Sequence, residues 1–160
     1  YEAAGFAPAY DAIVVLVNDS NWGGCESDLV FSTIAGNFSQ IITHELGHKI
    51  GDLADEYTYL NAQGTGSANY PGPEPQYVNV TMEKDRTKIK WAGYIQNSTP
   101  VPTTKDRPVG VVGLFEGGYY YPKRIYRPQY TCHMEVTSSE FCQVCYAQME
   151  NKLRQFCSSQ

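Results

Sequence analysis

Five residues, His44-Glu45-Leu46-Gly47-His48, constrain this chain more than any other stretch of its sequence. Histidines four apart share one face of a helix, so the pair predicts a helix carrying both imidazoles on the same side. Such a face suits a single cation, and zinc takes imidazole nitrogen at about 2.0–2.1 Å. Glu45 follows the first histidine and can face a water in the position that a catalytic zinc leaves open. There it would take a proton as the water attacks a carbonyl, then pass it to a leaving amine. The plain alternative is two surface histidines on an ordinary helix, but two of the chain's three histidines are spent here.

A catalytic zinc takes three protein ligands, so a third is required. Gly51 ends the predicted helix three residues after His48 and lets the chain turn beneath the metal. Beyond it the nearby candidates are Asp52, Asp55 and Glu56. Asp52 lies one residue past the turn and would have to double back. Asp55 has both the reach and a carboxylate, which makes it the expected third ligand, with Glu56 next.

The remaining elements follow from apolar pattern and turn residues. Residues 12–17 (AIVVLV) form the longest apolar run, a β-branched stretch predicting a strand buried on both faces. Residues 18–25 (NDSNWGGC) read as a loop, and residues 28–35 (DLVFSTIA) as a second strand. Ser39 is a plausible N-cap for a helix over residues 40–50. Residues 57–118 are rich in turn formers, including Gly64, Gly66 and Pro71-Gly72-Pro73, and predict long loops with one short helix near 81–89. Residues 138–156 place Phe141, Val144, Cys145, Met149, Leu153 and Phe156 at helical spacing, an amphipathic helix. The expected class is α+β in a single domain of 160 residues.

Charge narrows the partners. The formal charge is −5, which argues against nucleic acid, because phosphate binding rests on Lys and Arg. The one basic cluster, Lys84, Arg86, Lys88 and Lys90, alternates with Glu83 and Asp85 and reads as a solvated face. No apolar run approaches the ~20 residues that a membrane span needs. Five cysteines and four Asn-x-Ser/Thr acceptors, at Asn18, Asn37, Asn79 and Asn97, fit a secreted glycoprotein. Two intrachain disulfides and one leftover cysteine are expected, with pairing not readable from spacing. Cys142-Gln143-Val144-Cys145 has the spacing of half a zinc knuckle or of a redox pair, but no second ligand pair follows it and no thioredoxin-like unit precedes it, so structural disulfides are the expected use.

The run from His44 to Tyr57, HELGHKIGDLADEY, resembles the zinc signature of the IgA-peptidase family of secreted zinc metallopeptidases, a metzincin-like group. The resemblance implies His44, His48 and Asp55 as ligands of one catalytic Zn2+ and Glu45 as general base. It continues through Val78-Asn79-Val80-Thr81, Lys90-Trp91, residues 113–118 (GLFEGG), Tyr126-Arg127-Pro128, Cys132-His133-Met134 and Val144-Cys145. Met134 is similar to the methionine of the Met-turn, whose thioether lies beneath the metal-bound histidines. A soft, unbranched side chain suits that floor. His133 is read as a non-ligand, and Glu116 as a structural hydrogen-bonding carboxylate, with a ligand role as the lesser alternative. Tyr57, Tyr119, Tyr120, Tyr121 and Tyr126 are candidate oxyanion donors or pocket walls. Where metzincins carry a third histidine ten positions after the first, this chain has Ala54, and Asp55 must serve instead.

From the resemblance follows a metzincin-like fold: a mixed β-sheet with the active-site helix, a loop-rich lower part and a C-terminal helix. Residues 1–55 would form an upper subdomain and residues 56–160 a lower one. The strand within residues 28–35 would lie along the cleft and pair with an extended protein or peptide substrate. The alternative function is a non-catalytic binding or adhesion module on a peptidase scaffold, against which Glu45 speaks. A gluzincin-type site with Glu74 or Glu83 as ligand is a third reading. Domains of this kind begin well before residue 12, which implies a missing N-terminal part. Extra polypeptide is therefore expected beside the first strand, as a second fragment of the same precursor or another subunit.

Overall fold

The computed structural model describes residue 5, residues 10–59 and residues 69–158. Gly64 and Gly66, read above as part of a long loop, lie outside the described residues, as does the side chain of Phe156. Three short strands come first: β1 (Val14–Val17), β2 (Gly24–Glu26) and β3 (Val30–Thr33). They make one sheet in the order β1-β3-β2, with β1 parallel and β2 antiparallel to β3. The sheet is therefore mixed and the class is α+β. Two expectations change here. Gly24 and Cys25, read as loop, pair with Ser32 and Phe31. Both edges of β3 are thereby occupied, so among the described residues it is β2 and not the strand in residues 28–35 that offers a free sheet edge beside α1.

The run over residues 12–17 is a strand but not a buried one. Val14, Leu16 and Val17 are 38%, 51% and 42% exposed, because β1 has a single sheet neighbour and no layer over its outer face among the described residues. β-branched composition reports strand preference; it cannot report what covers the strand.

Helix α1 (Phe38–Lys49) packs against β2 and β3. It starts earlier than expected, with Asn37 at the N-cap, and Ser39 lies inside it with its carbonyl accepting from the Thr43 hydroxyl. The reversal after α1 falls on Asp52, whose φ is +49°, and not on Gly51. Gly51 is needed for space: a Cβ there would stand 2.6 Å from the Gly47 carbonyl oxygen and 2.6 Å from the Met149 sulfur.

Residues 81–89 form no helix: Thr81 bridges to Tyr126 and residues 86–88 turn, and the only short helix in this region among the described residues is a 3-10 turn at Ala92–Tyr94. The segment read as loop through residue 118 contains a strand, β4 (Phe115–Gly118), which pairs antiparallel with β5 (Tyr121–Arg127). Tyr119 and Tyr120 alone connect them, at φ +47° and +71°. Two consecutive positive φ values are what a two-residue turn between right-twisted strands requires, although glycine or asparagine ordinarily takes them.

Helix α2 (Gln143–Ser158) begins five residues later than position 138. The intervening residues are irregular instead, with the Ser139 amide bonded back to the Val136 carbonyl at 2.9 Å. The main core lies beneath α1, around Leu53, Trp91, Leu114, Met134 and Val144. Each fully buried aliphatic side chain there contributes about 1.5–3 kcal/mol. Trp91 also donates its indole N–H to the Gly113 carbonyl at 2.7 Å.

The steric role of Gly51 is testable. Gly51→Ala should destabilise the fold by about 1–3 kcal/mol through overpacking, whereas Gly93→Ala, with open space around it, should be near neutral. Urea denaturation of the two variants distinguishes them; equal stabilities would contradict the packing described.

Candidate metal centre

The four-residue spacing on α1 sets His44 and His48 edge to face, ring centroids 4.9 Å apart. The left-handed turn at Asp52 then sends the chain back under the helix. Leu53, Ala54, Asp55 and Glu56 in this segment are all buried. Asn79 holds the return in place: its side-chain oxygen accepts from the Ala54 amide at 2.9 Å and its amide donates to the Ala54 carbonyl at 2.8 Å. Wholly buried, Asn79 is a structural clamp and cannot be a glycan acceptor in the folded chain. The other three acceptor asparagines are exposed.

Asp55 is thereby brought to the histidines. Its Oδ1 lies 2.9 Å from His44 Nε2 and 3.3 Å from His48 Nε2. The opposite ring nitrogens are committed to backbone: His44 Nδ1 faces the His133 carbonyl at 3.0 Å, and His48 Nδ1 the Leu53 carbonyl at 2.7 Å. A carbonyl only accepts, so each Nδ1 must carry its proton, and each Nε2 turns a lone pair toward a carboxylate oxygen. Three acceptors meeting in this way are satisfied only by a cation between them. That cation is a proton on an imidazole or a metal ion, and the donor set of two imidazoles and a carboxylate suits a divalent metal. The three donor atoms lie within 4.8 Å of one another, so the residues fit the group.

Electrostatics agree with the geometry. Burial works to raise the Asp55 carboxyl, yet bonds from His44, His48 and Tyr120 hold it well below the usual carboxylate range. Burial alone would lower the His48 pKa, and Asp55, with the Leu53 carbonyl and the Glu45 charge, more than reverses this. Glu45, 8% exposed, is pushed above its ordinary value by burial, with His44 and His48 opposing. It stays off the ligand cluster and lies beside Gly24 of β2, whose missing Cβ would stand 3.2 Å from its Oε1.

Of the tyrosines that sequence could not separate, Tyr120 stands out. Its hydroxyl donates to Asp55 Oδ2, and burial and this bond both raise its pKa, keeping the proton in place. The strained Tyr119-Tyr120 turn is what aims it there. Tyr57 packs against it at 5.4 Å, and both line a cavity of about 560 Å3 with His48, Asp55 and β2.

Other candidates fall elsewhere. Met134 is fully buried beneath α1, where a Cβ on Gly47 would come within 2.7 Å of its sulfur. His133 turns its nitrogens to the Ser139 and Gln40 carbonyls, away from the cluster. Asp52 is exposed and pairs with Lys152. Glu74 is engaged by Thr81, the Met82 amide and Lys90, and Glu116 by Lys123 and the Arg124 amide. Glu83 accepts from the Lys84 and Asp85 amides. None of these joins the histidines.

A family model described as IgA Peptidase M64 matches residues 1–109 and 104–153 of the chain. No curated protein matches it.

Asp55→Ala should weaken binding of added Zn2+ by more than ~100-fold, since losing even an outer hydrogen-bond partner costs ~10–100-fold. Asp52→Ala should leave affinity almost unchanged. Titration calorimetry returning the reverse order would show that Asp55 does not belong to the ligand set.

Proposed function

The chain belongs to the IgA peptidase M64 family, and on that premise we propose that it is a secreted zinc-dependent endopeptidase with a metzincin-like fold. The observation that carries this is the meeting of His44 Nε2, His48 Nε2 and Asp55 Oδ1, an acceptor set that demands a cation. In this reading His44, His48 and Asp55 hold one Zn2+, and Met134 forms the floor below them. Zinc supplies Lewis acidity toward a peptide carbonyl and makes water a nucleophile near neutral pH.

The chain's own residues do the rest. Glu45 accepts the proton of the attacking water and hands it to the departing amine nitrogen. Burial raises its basicity toward that task. Tyr120 anchors the second oxygen of Asp55, fixing which lone pairs of the carboxylate remain for the metal. β2 forms a free sheet edge that lines the cavity together with His48 and Asp55. An extended peptide adding to this edge would present its carbonyls along the cleft in register. Residues 1–55 then make the upper wall and residues 56–160 the lower one. Among the described residues β1 has no strand on its outer edge, and in this reading further polypeptide, from the same precursor or another subunit, lies there. Four acceptor sequons, three of them exposed, support secretion.

Glu45→Gln tests the mechanism. It should keep the fold and stoichiometric zinc while hydrolysis of a mixed peptide library falls by about 10²–10⁴-fold. A chelator should abolish cleavage by the unaltered chain. Near-normal turnover by the variant would overturn the role of Glu45.

A further inference from the structure

None of the five cysteines is disulfide-bonded. The expected pairs do not form, and the reason is convergence: Cys132, Cys142 and Cys145 meet at one point, so any pair would strand the third, while Cys25 and Cys157 are exposed elsewhere. Glu56 completes the group. The three Sγ atoms and one carboxylate oxygen of Glu56 all lie within 4.8 Å of one another. All four residues are buried, none more than 3% exposed.

We propose that Cys132, Cys142, Cys145 and Glu56 form a second metal site, closed and structural, for a tetrahedrally coordinated divalent ion of the zinc type. Zinc–sulfur bonds of about 2.3 Å put tetrahedral donors about 3.8 Å apart. A cluster within 4.8 Å reaches that spacing by contracting less than about 1 Å. Three thiols release their protons to solvent as the ion binds, leaving three thiolates and a carboxylate around it. The resulting net charge of the centre equals that of an ordinary four-cysteine zinc site.

Independent features point to a ligand here. Glu56 Oε2 is the one buried side-chain oxygen or nitrogen without a hydrogen-bond partner among the described residues. Its neighbour Oε1 is held by Asn79 at 2.9 Å and by Cys145 Sγ at 3.3 Å. Such an orphan is costly unless something completes it. Backbone amides are also already turned on the sulfurs: Cys142 N–H donates to Cys132 Sγ at 3.2 Å, and Cys145 N–H to Cys142 Sγ at 3.4 Å. These bonds favour thiolates, and the positive end of α2 adds to them. The Arg127 guanidinium, bonded to the Glu56 carbonyl at 3.2 Å, supplies nearby positive charge.

The Cys142–Cys145 pair thus finds its other two ligands earlier in the chain, where a search for a following pair does not look. One lies ten residues before it, and the other is 89 residues from Cys145. The ion would join the segment after α1, the turn at Cys132-His133-Met134 and the start of α2. The Glu56 amide already donates to the Met134 carbonyl at 2.7 Å, so this joint stands directly behind the histidine cluster.

Metal counting separates the two centres. Freshly purified chain should hold two zinc ions by mass spectrometry of metals, and His48→Ala should still hold one. Replacing zinc with Co2+ should give the intense near-ultraviolet thiolate-to-cobalt absorption in both chains, since only the cysteine centre offers sulfur. Should His48→Ala fail to fold, the band in the unaltered chain decides by itself. A cobalt-loaded chain without that band would overturn the proposal, as would a disulfide among these three cysteines in non-reducing peptide maps.

Discussion

Two imidazole nitrogens and a carboxylate oxygen, every one a lone-pair donor, are forced to face each other at 2.9 and 3.3 Å. The surrounding fold is arranged so that they cannot turn away. Each histidine is pinned by its other nitrogen to a carbonyl, one from the segment after α1 and one from the turn before α2. Asp55 is pinned by Tyr120 from the β4–β5 hairpin. Three parts of the chain far apart in sequence therefore fix one small constellation. A site so over-determined would take a cation with little reorganisation, which is the condition for electrostatic preorganisation.

The cost of that arrangement appears as backbone strain. Tyr119, Tyr120 and Asp52 all sit at positive φ, where side chains are disfavoured. Asp52 reverses the chain under α1, and the tyrosine pair turns the hairpin so that a hydroxyl reaches Asp55. Strain of this kind, of order 1–3 kcal/mol per residue, persists only where neighbouring contacts impose it. Here the contacts are aromatic: Tyr120 stacks on Tyr59 at 5.5 Å and meets Tyr57 at 5.4 Å.

What sequence could and could not reveal divides along range. That His44, His48 and Asp55 would meet was legible because helical period and a short return path are local properties. The fold class and both helices were legible for the same reason, with ends displaced by a few residues. β2 was missed because a three-residue strand containing glycine carries no alternating pattern. The β4–β5 hairpin was missed because Tyr119-Tyr120 lacks the glycine or asparagine that marks such turns. The exposure of β1 depends on what lies beside it, which composition does not encode. Sequence also offered five tyrosines without ranking them; only the folded hairpin singles out Tyr120.

The segment from Asp52 to Glu56 has a consequence for how such chains can vary. Within it, consecutive side chains serve different clusters. Asp55 faces the two histidines, and Glu56, the very next residue, faces three cysteines. By ordinary standards this is a connecting loop, and loops absorb insertions and deletions readily. This one cannot. Gaining or losing a single residue between His48 and Glu56 would shift this order and present the wrong carboxylate to each cluster. Its length is therefore held as rigidly as the interior of a helix, and relatives that keep both clusters should vary in its composition but not in its residue count.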